Sequence, residues 1–210
     1  MAKQPILLTV TAAAIIAAAV GRGFGSLAGS AHDFSAGFGP SRGETCAPCH
    51  APHNAASSRE KLLWNLRITP SVFMPYISQT LKANVGQPDG ASKLCLSCHD
   101  GTIVQGPMSS LKITGIDLRK VHPISFVYDD ALAAAARHLK YPRSAPSGLG
   151  GTIAQDLLRG GKMQCVSCHD AHNRDNNDAM LVKQEKFGDK GLCATCHTAP
   201  PPGTIEHGRR

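Results

Sequence analysis

Eight cysteines in 210 residues fall into four frames of one pattern: Cys46-Ala-Pro-Cys49-His50, Cys95-Leu-Ser-Cys98-His99, Cys165-Val-Ser-Cys168-His169 and Cys193-Ala-Thr-Cys196-His197. Cysteines at i and i+3, with a histidine at i+4, share one face of a helical turn. Two thioether bonds can then tether the vinyl groups of a porphyrin while the imidazole reaches its iron, which is the chemistry of c-type haem attachment. Three other uses of such cysteines compete: disulfides in an exported chain, paired zinc ligands and thioredoxin-like redox pairs. None of them requires a histidine after every pair. With ten histidines in the chain, four coincidences have odds on the order of one in 10^5 to 10^6. The frames therefore read as four covalent haem c sites, with His50, His99, His169 and His197 as proximal iron ligands.

Four irons call for four distal ligands, and six histidines remain: His32, His53, His122, His138, His172 and His207. His53 and His172 each follow a proximal histidine by three residues. Side chains at that spacing leave the same side of a helix and cannot occupy opposite faces of one iron. Each is therefore expected to reach a different haem from the one beside it, which forces the haems to pack closely. His122 precedes Pro123 in an apolar segment, and proline favours an extended backbone there. Such a histidine can project from a loop onto a haem face. His32 is left open on its residues alone. His138 falls in an expected helix, 129–140, and reads as a helix-surface residue or a propionate contact; His207 sits in a Pro-Gly tail. Met74, Met108, Met163 and Met180 could also ligate, but the supply of histidines favours His/His, and Met/His ligation would raise the potential.

The elements that must position these groups are short. Helices are expected at Arg59–Leu66, at 129–140 capped by Asp129 or Asp130 and stopped by Pro142, at Thr152–Arg159 and at Ala179–Phe187, with a turn at each haem site. No stretch keeps up strand alternation. The expected fold is irregular loops and short α-helices around stacked haems that form the core, without a substantial β-sheet. Aromatics are 5% of the chain, as expected if porphyrins fill the interior. Lys3, the apolar run Pro5–Val20 and the small residues ending at Ala31 have the layout of a secretory leader. Cleavage is expected after Ala31, with Ala28 as an alternative; as a retained anchor the run is short for a span. The frames alternate: Cys-x-x-Cys-His-x-x-His-Asn first and third, Leu-Cys-x-x-Cys-His second and fourth. This suggests a duplicated two-haem unit and the division 1–31 leader, 32–140 first unit, 141–161 linker, 162–199 second unit and 200–210 flexible tail.

These residues resemble the small multihaem c-type cytochromes with doubled CXXCH motifs, a cytochrome c3-like family. The likeness runs through His32-Asp33-Phe34-Ser35, the first motif with His53-Asn54, Leu63-Trp64-Asn65, Lys93 to Thr102, His122-Pro123-Ile124-Ser125-Phe126, Gln164 to Asn173, and Leu192 to His197. The resemblance implies axial roles for His32, in its His-Asp pair, and for His122, in its His-Pro pair. Asn65-Leu66 departs from the Asn-His that related chains often carry, which removes any extra ligand there. Tetrahaem chains of this size are similar to outer-surface cytochromes that polymerise into extracellular filaments. This implies a continuous haem stack in a homopolymer, with an axial histidine donated between subunits; His53 and His32 are the candidates. Three functions compete: a filament subunit, a monomeric periplasmic electron shuttle, and a multihaem reductase. A reductase needs an open distal position with acid/base groups nearby, and six spare histidines for four irons argue against one. The expected partners are redox cytochromes or extracellular electron acceptors.

The formal charge of +7 would, by itself, suggest a polyanionic partner. Removing the leader takes away Lys3 and Arg22 and leaves +5. Four haems bring roughly eight propionates, about −8 if they ionise as ordinary carboxyls. The basic excess thus reads as a counterweight to propionates, not as a nucleic-acid surface.

Overall fold

A computed structural model describes residues 27–36, 45–50, 68–102, 115–184 and 191–198. His53, His207, Met108, the expected helix Arg59–Leu66, the tail and most of the leader lie outside the described residues. Regular structure is sparse, as the sequence led us to expect. In chain order it comprises α1 (Gly90–His99), β1 (Phe126–Val127), α2 (Asp130–Ala136), α3 (Ile153–Asp156), β2 (Lys162–Met163), 3-10 turns at Cys165–Ser167 and Asp178–Met180, and α4 (Leu192–Cys196). Among the described residues no helix is long and apolar enough to cross a membrane.

Local chemistry explains each element. The Asp129 carboxylate accepts from the Leu132 N–H (2.8 Å), capping the alanine-rich α2. Thr152 and Gln155 form a reciprocal capping box on α3. The two strands pair antiparallel, Phe126 opposite Met163 and Val127 opposite Lys162, with Phe126 turned inward and Val127 outward. Phe126, Tyr128, Ala133, Ile153, Leu157, Leu158, Met163 and Cys196 gather into one apolar cluster. A smaller one joins Phe73, Leu96 and Leu118. The segment 141–161, read from its Pro, Ser and Gly content as a linker, supplies Ile153, Leu157 and Leu158 to the larger cluster.

Three expected helices are shorter than their sequences suggested, and of residues 152–159 only Ile153–Asp156 are helical, with Thr152 as N-cap and Leu157 as C-cap. Residues 129–140 hold a helix only to Ala136, because Arg137 turns left-handed (φ 56°) and ends it. In place of a helix from Ala179, a single 3-10 turn forms across Asp178–Met180, with Ala179 itself left-handed (φ 53°). Backbone bonds to the third motif hold this segment: Asp170 N–H to Met180 O (2.7 Å) and Val182 N–H to Cys168 O (2.9 Å).

A buried polar clasp fixes α1 to the Cys165–Ser167 turn. Gln164 Oε1 accepts from the Ser92 N–H (2.9 Å), and Gln164 Nε2 donates to Asp89 (3.0 Å). The Cys165 N–H donates to Ser92 Oγ (3.0 Å), and Lys162 pairs with Asp89. Gly90 is left-handed (φ 49°), and a Cβ there would come within 3.2 Å of Gln164 Nε2, so glycine allows this close approach. The clasp joins the second and third motifs directly. Gln164→Ala leaves the buried Ser92 amide unpaired and should destabilise the folded chain by about 1–3 kcal/mol, read from denaturant unfolding of the holoprotein. An unchanged midpoint would show that the clasp contributes nothing.

Candidate haem and electron-transfer site

The four frames adopt related turns on different supports. In the first, third and fourth, the histidine N–H donates to the carbonyl of the first cysteine, at 2.9 Å for His50, 3.0 Å for His169 and 3.0 Å for His197. The second frame occupies the last five residues of the ten-residue α1, a helix longer than the single turn expected. None of the eight cysteines is paired in a disulfide. Among the described residues no three His, Cys, Asp or Glu side chains converge on a metal position.

Bonds around the frames fix the imidazoles. An isolated antiparallel bridge pairs His169 with Leu181, and another pairs His197 with Leu139. The Nδ1–H of His169 donates to the Ala179 carbonyl (3.0 Å), and that of His122 to the Pro123 carbonyl (2.9 Å). His32 Nδ1 contacts the Ala171 carbonyl at a longer 3.4 Å. A histidine so bonded keeps the lone pair of Nε2 free for a metal. Desolvation lowers the pKa of His32 and of His122, although part of the His122 ring still reaches the surface. Burial, then the neighbouring His122 and His138, hold His197 down at about 4. Neutral imidazole is the ligating form.

The distances between rings test whether haem irons fit. Two trans ligands, each about 2 Å from the metal with its ring centre roughly 1.1 Å further on, place their centroids about 6.2 Å apart. His50 and His172 lie 6.0 Å apart with rings 10° from parallel. His99 and His32 are 6.1 Å apart, and His197 and His122 are 6.3 Å apart. By their separation, each of these three pairs would have room to hold an iron between its rings. His172 therefore stands beside the first motif, not beside His169, its neighbour in sequence. His138 lies 5.6 Å from His197 with near-parallel rings. Among the described residues no histidine ring stacks at such a distance on His169. Met163 is buried in the larger apolar cluster, and Met180 beside the third motif is buried as well.

Sulfur neighbours connect the frames in sequence order. Cys49 is near enough to raise the pKa of Cys98, after burial, to about 11. The thiol of Cys95 hydrogen-bonds to Cys165, the largest influence on each, raising Cys95 and lowering Cys165 to about 7. Cys193 adds to burial in raising Cys168 to about 11. The attachment points thus pass from first to second, second to third and third to fourth.

Sequence reasoning missed two carboxylates. Asp100 and Asp170 follow their proximal histidines directly, and both are buried. Burial pushes each carboxyl up, but hydrogen bonds outweigh it and hold both below the usual range. Asp100 accepts from Thr69 Oγ1 (2.5 Å), Ser71 Oγ (3.0 Å) and Thr102 Oγ1 (2.6 Å). Asp170 accepts from the backbone N–H groups of His172 (3.2 Å) and Arg174 (2.8 Å), and from the Arg174 side chain (3.0 Å). Asp170 thereby shapes the loop that presents His172. The shared Cys-His-Asp string was the available signal.

No curated protein matches the chain. Residues 158–201, which hold the third and fourth frames, match the family model described as the doubled CXXCH motif. With the ring separations above, that match supports a multihaem c-type cytochrome that binds haem covalently and transfers electrons.

Proposed function

We infer that the chain carries four covalent haem c groups, mostly bis-histidine ligated, and works as the repeating subunit of an extracellular conductive filament. The observation that carries this reading is the His50–His172 pair, 6.0 Å apart, which draws the first frame against the region of the third. Together with the Cys95–Cys165 contact, it favours haems packed closely enough to pass electrons along the chain. Export through the expected leader, a surface location and partners among redox cytochromes or extracellular acceptors belong to the same reading. The periplasm is the alternative location, for a monomeric shuttle. With histidines facing three of the proximal ligands, the chain is better suited to carrying electrons than to reducing a substrate.

Among the described residues no histidine ring pairs with His169, which supports a ligand from elsewhere, such as one donated between subunits. Of the two candidate donors, His32 lies against His99 of its own chain, which favours His53. His53→Ala should abolish filaments in the secreted fraction while all haems remain attached, as seen by negative-stain microscopy and haemochrome assay. Filaments of normal length from this variant would rule out His53 as the link. Absence of filaments from the unaltered protein under several growth conditions would favour the shuttle.

A further inference from the structure

His138 is the one described histidine that the haem assignment leaves without a role. Arg137, left-handed at φ 56°, ends α2 and carries the chain away from the helix axis. The next residues pair with the fourth frame. The Thr198 N–H donates to the His138 carbonyl (2.8 Å), and the Lys140 N–H donates to the Cys196 carbonyl (2.8 Å). Thr198 Oγ1 also donates to the His138 carbonyl (3.1 Å), and Lys140 Nζ donates to the Ala194 carbonyl (2.6 Å). The backbone of His138 is therefore tied to that of His197.

The side chains show why this matters. Nδ1 of His197 is buried and has no hydrogen-bond partner. Iron ligands almost always donate that second nitrogen to a neighbour, as His169 does to Ala179. His138, 5.6 Å away between ring centres, is the polar group positioned to complete it. Facing nitrogens at that separation are about 3.3 Å apart, against about 4 Å for two ligands with a metal between them and about 2.9 Å for a hydrogen bond. A slight turn of the His138 side chain closes the bond, whereas ligation would require the rings to separate. The two rings are stacked, 7° from parallel, so it is a rotation of the His138 side chain that would bring its ring edge to Nδ1 of His197. The 6.3 Å His122–His197 pair suits the iron.

We propose that His138 is a positioning residue of the fourth haem: its imidazole accepts the Nδ1–H of His197, while His122 takes the opposite side of the iron. The proposal rests on the reading of Cys193, Cys196 and His197 as a haem site. Accepting that proton makes His197 a more basic ligand, which favours ferric iron and lowers the potential of one haem among four.

The test compares holoprotein of the unaltered chain with His138→Phe and His138→Gln. Haem content, electron paramagnetic resonance and a spectroelectrochemical titration are measured on each. The expected result is four haems in every form, no new high-spin iron, and one of four titrating components moved to higher potential in the Phe variant. The Gln variant, whose amide oxygen can accept the same proton, should restore it. A Phe variant with all four components unmoved overturns the proposal. So does one new high-spin iron, which would make His138 the distal ligand. An unaltered chain without haem at Cys193 and Cys196 would overturn the haem reading of that frame and this role with it.

Discussion

Replacing His172 with alanine should turn one iron high-spin while every haem stays attached. In the proposed tetrahaem protein the thioether bonds of the first frame would depend on Cys46 and Cys49, and His50 would still supply the proximal nitrogen. His172 faces His50 at 6.0 Å, and no sulfur chemistry changes when it is removed. Its loop is held independently by Asp170, which binds the amides of His172 and Arg174, so the substitution should not unfold the region. One new high-spin ferric signal per chain is the expected electron paramagnetic resonance spectrum. It should be absent from the unaltered protein's spectrum at that field position. A wholly unchanged low-spin spectrum would mean that His172 ligates no iron. If His172 served the third haem instead, the double variant His169→Ala/His172→Ala would disturb one iron, whereas the facing of His172 and His50 predicts two.

The second large effect concerns the third frame. Cys165→Ala with Cys168→Ala should remove one haem and divide the path. Cys165 touches Cys95 of the second frame, and Cys168 neighbours Cys193 of the fourth. The third attachment is thus the connection between the two ends. The variant's mass should fall by one haem beyond the two sulfur atoms. Stopped-flow reduction should separate into a fast group of haems and a slow remainder. Because a missing haem also removes core, His169→Met offers a milder companion. It keeps both thioethers and should raise the potential of one component. Reduction of the double variant as a single uniform phase would contradict the sequential order.

Much of the site could be read from the sequence because covalent haem attachment demands a fixed spacing. The four frames follow from that spacing, but the place of His172 does not follow from helical geometry, because residues 169–172 form no helix and the bridge of His169 to Leu181 and the Asp170 turn set it instead. The placement of His138 does not follow from spacing either. The run of alanines to Ala136 promises a helix through Lys140, and nothing in Arg137 announces the left-handed turn that ends it. The turn is set by pairing with the fourth frame, a contact between residues about sixty positions apart. Segment 141–161 illustrates a different limit. Proline, serine and glycine mark turns, but Ile153, Leu157 and Leu158 within it are buried together by tertiary contacts that composition does not register. Asp100 and Asp170 were visible as a repeated Cys-His-Asp string, yet their role depends on partners such as Thr69, distant in sequence. The expected helix from Ala179 gave way because hydrogen bonds to the third frame required extended chain at Leu181.

The central claim is that one chain holds four covalent haems, one on each Cys-x-x-Cys-His frame. Intact mass spectrometry of the exported protein, with peptide mapping of the modified cysteines, tests it most directly. The account predicts the mass of the processed chain plus four haems, with adducts on Cys46/Cys49, Cys95/Cys98, Cys165/Cys168 and Cys193/Cys196. Fewer than four haems, or unmodified or disulfide-linked cysteines in any frame, would contradict it.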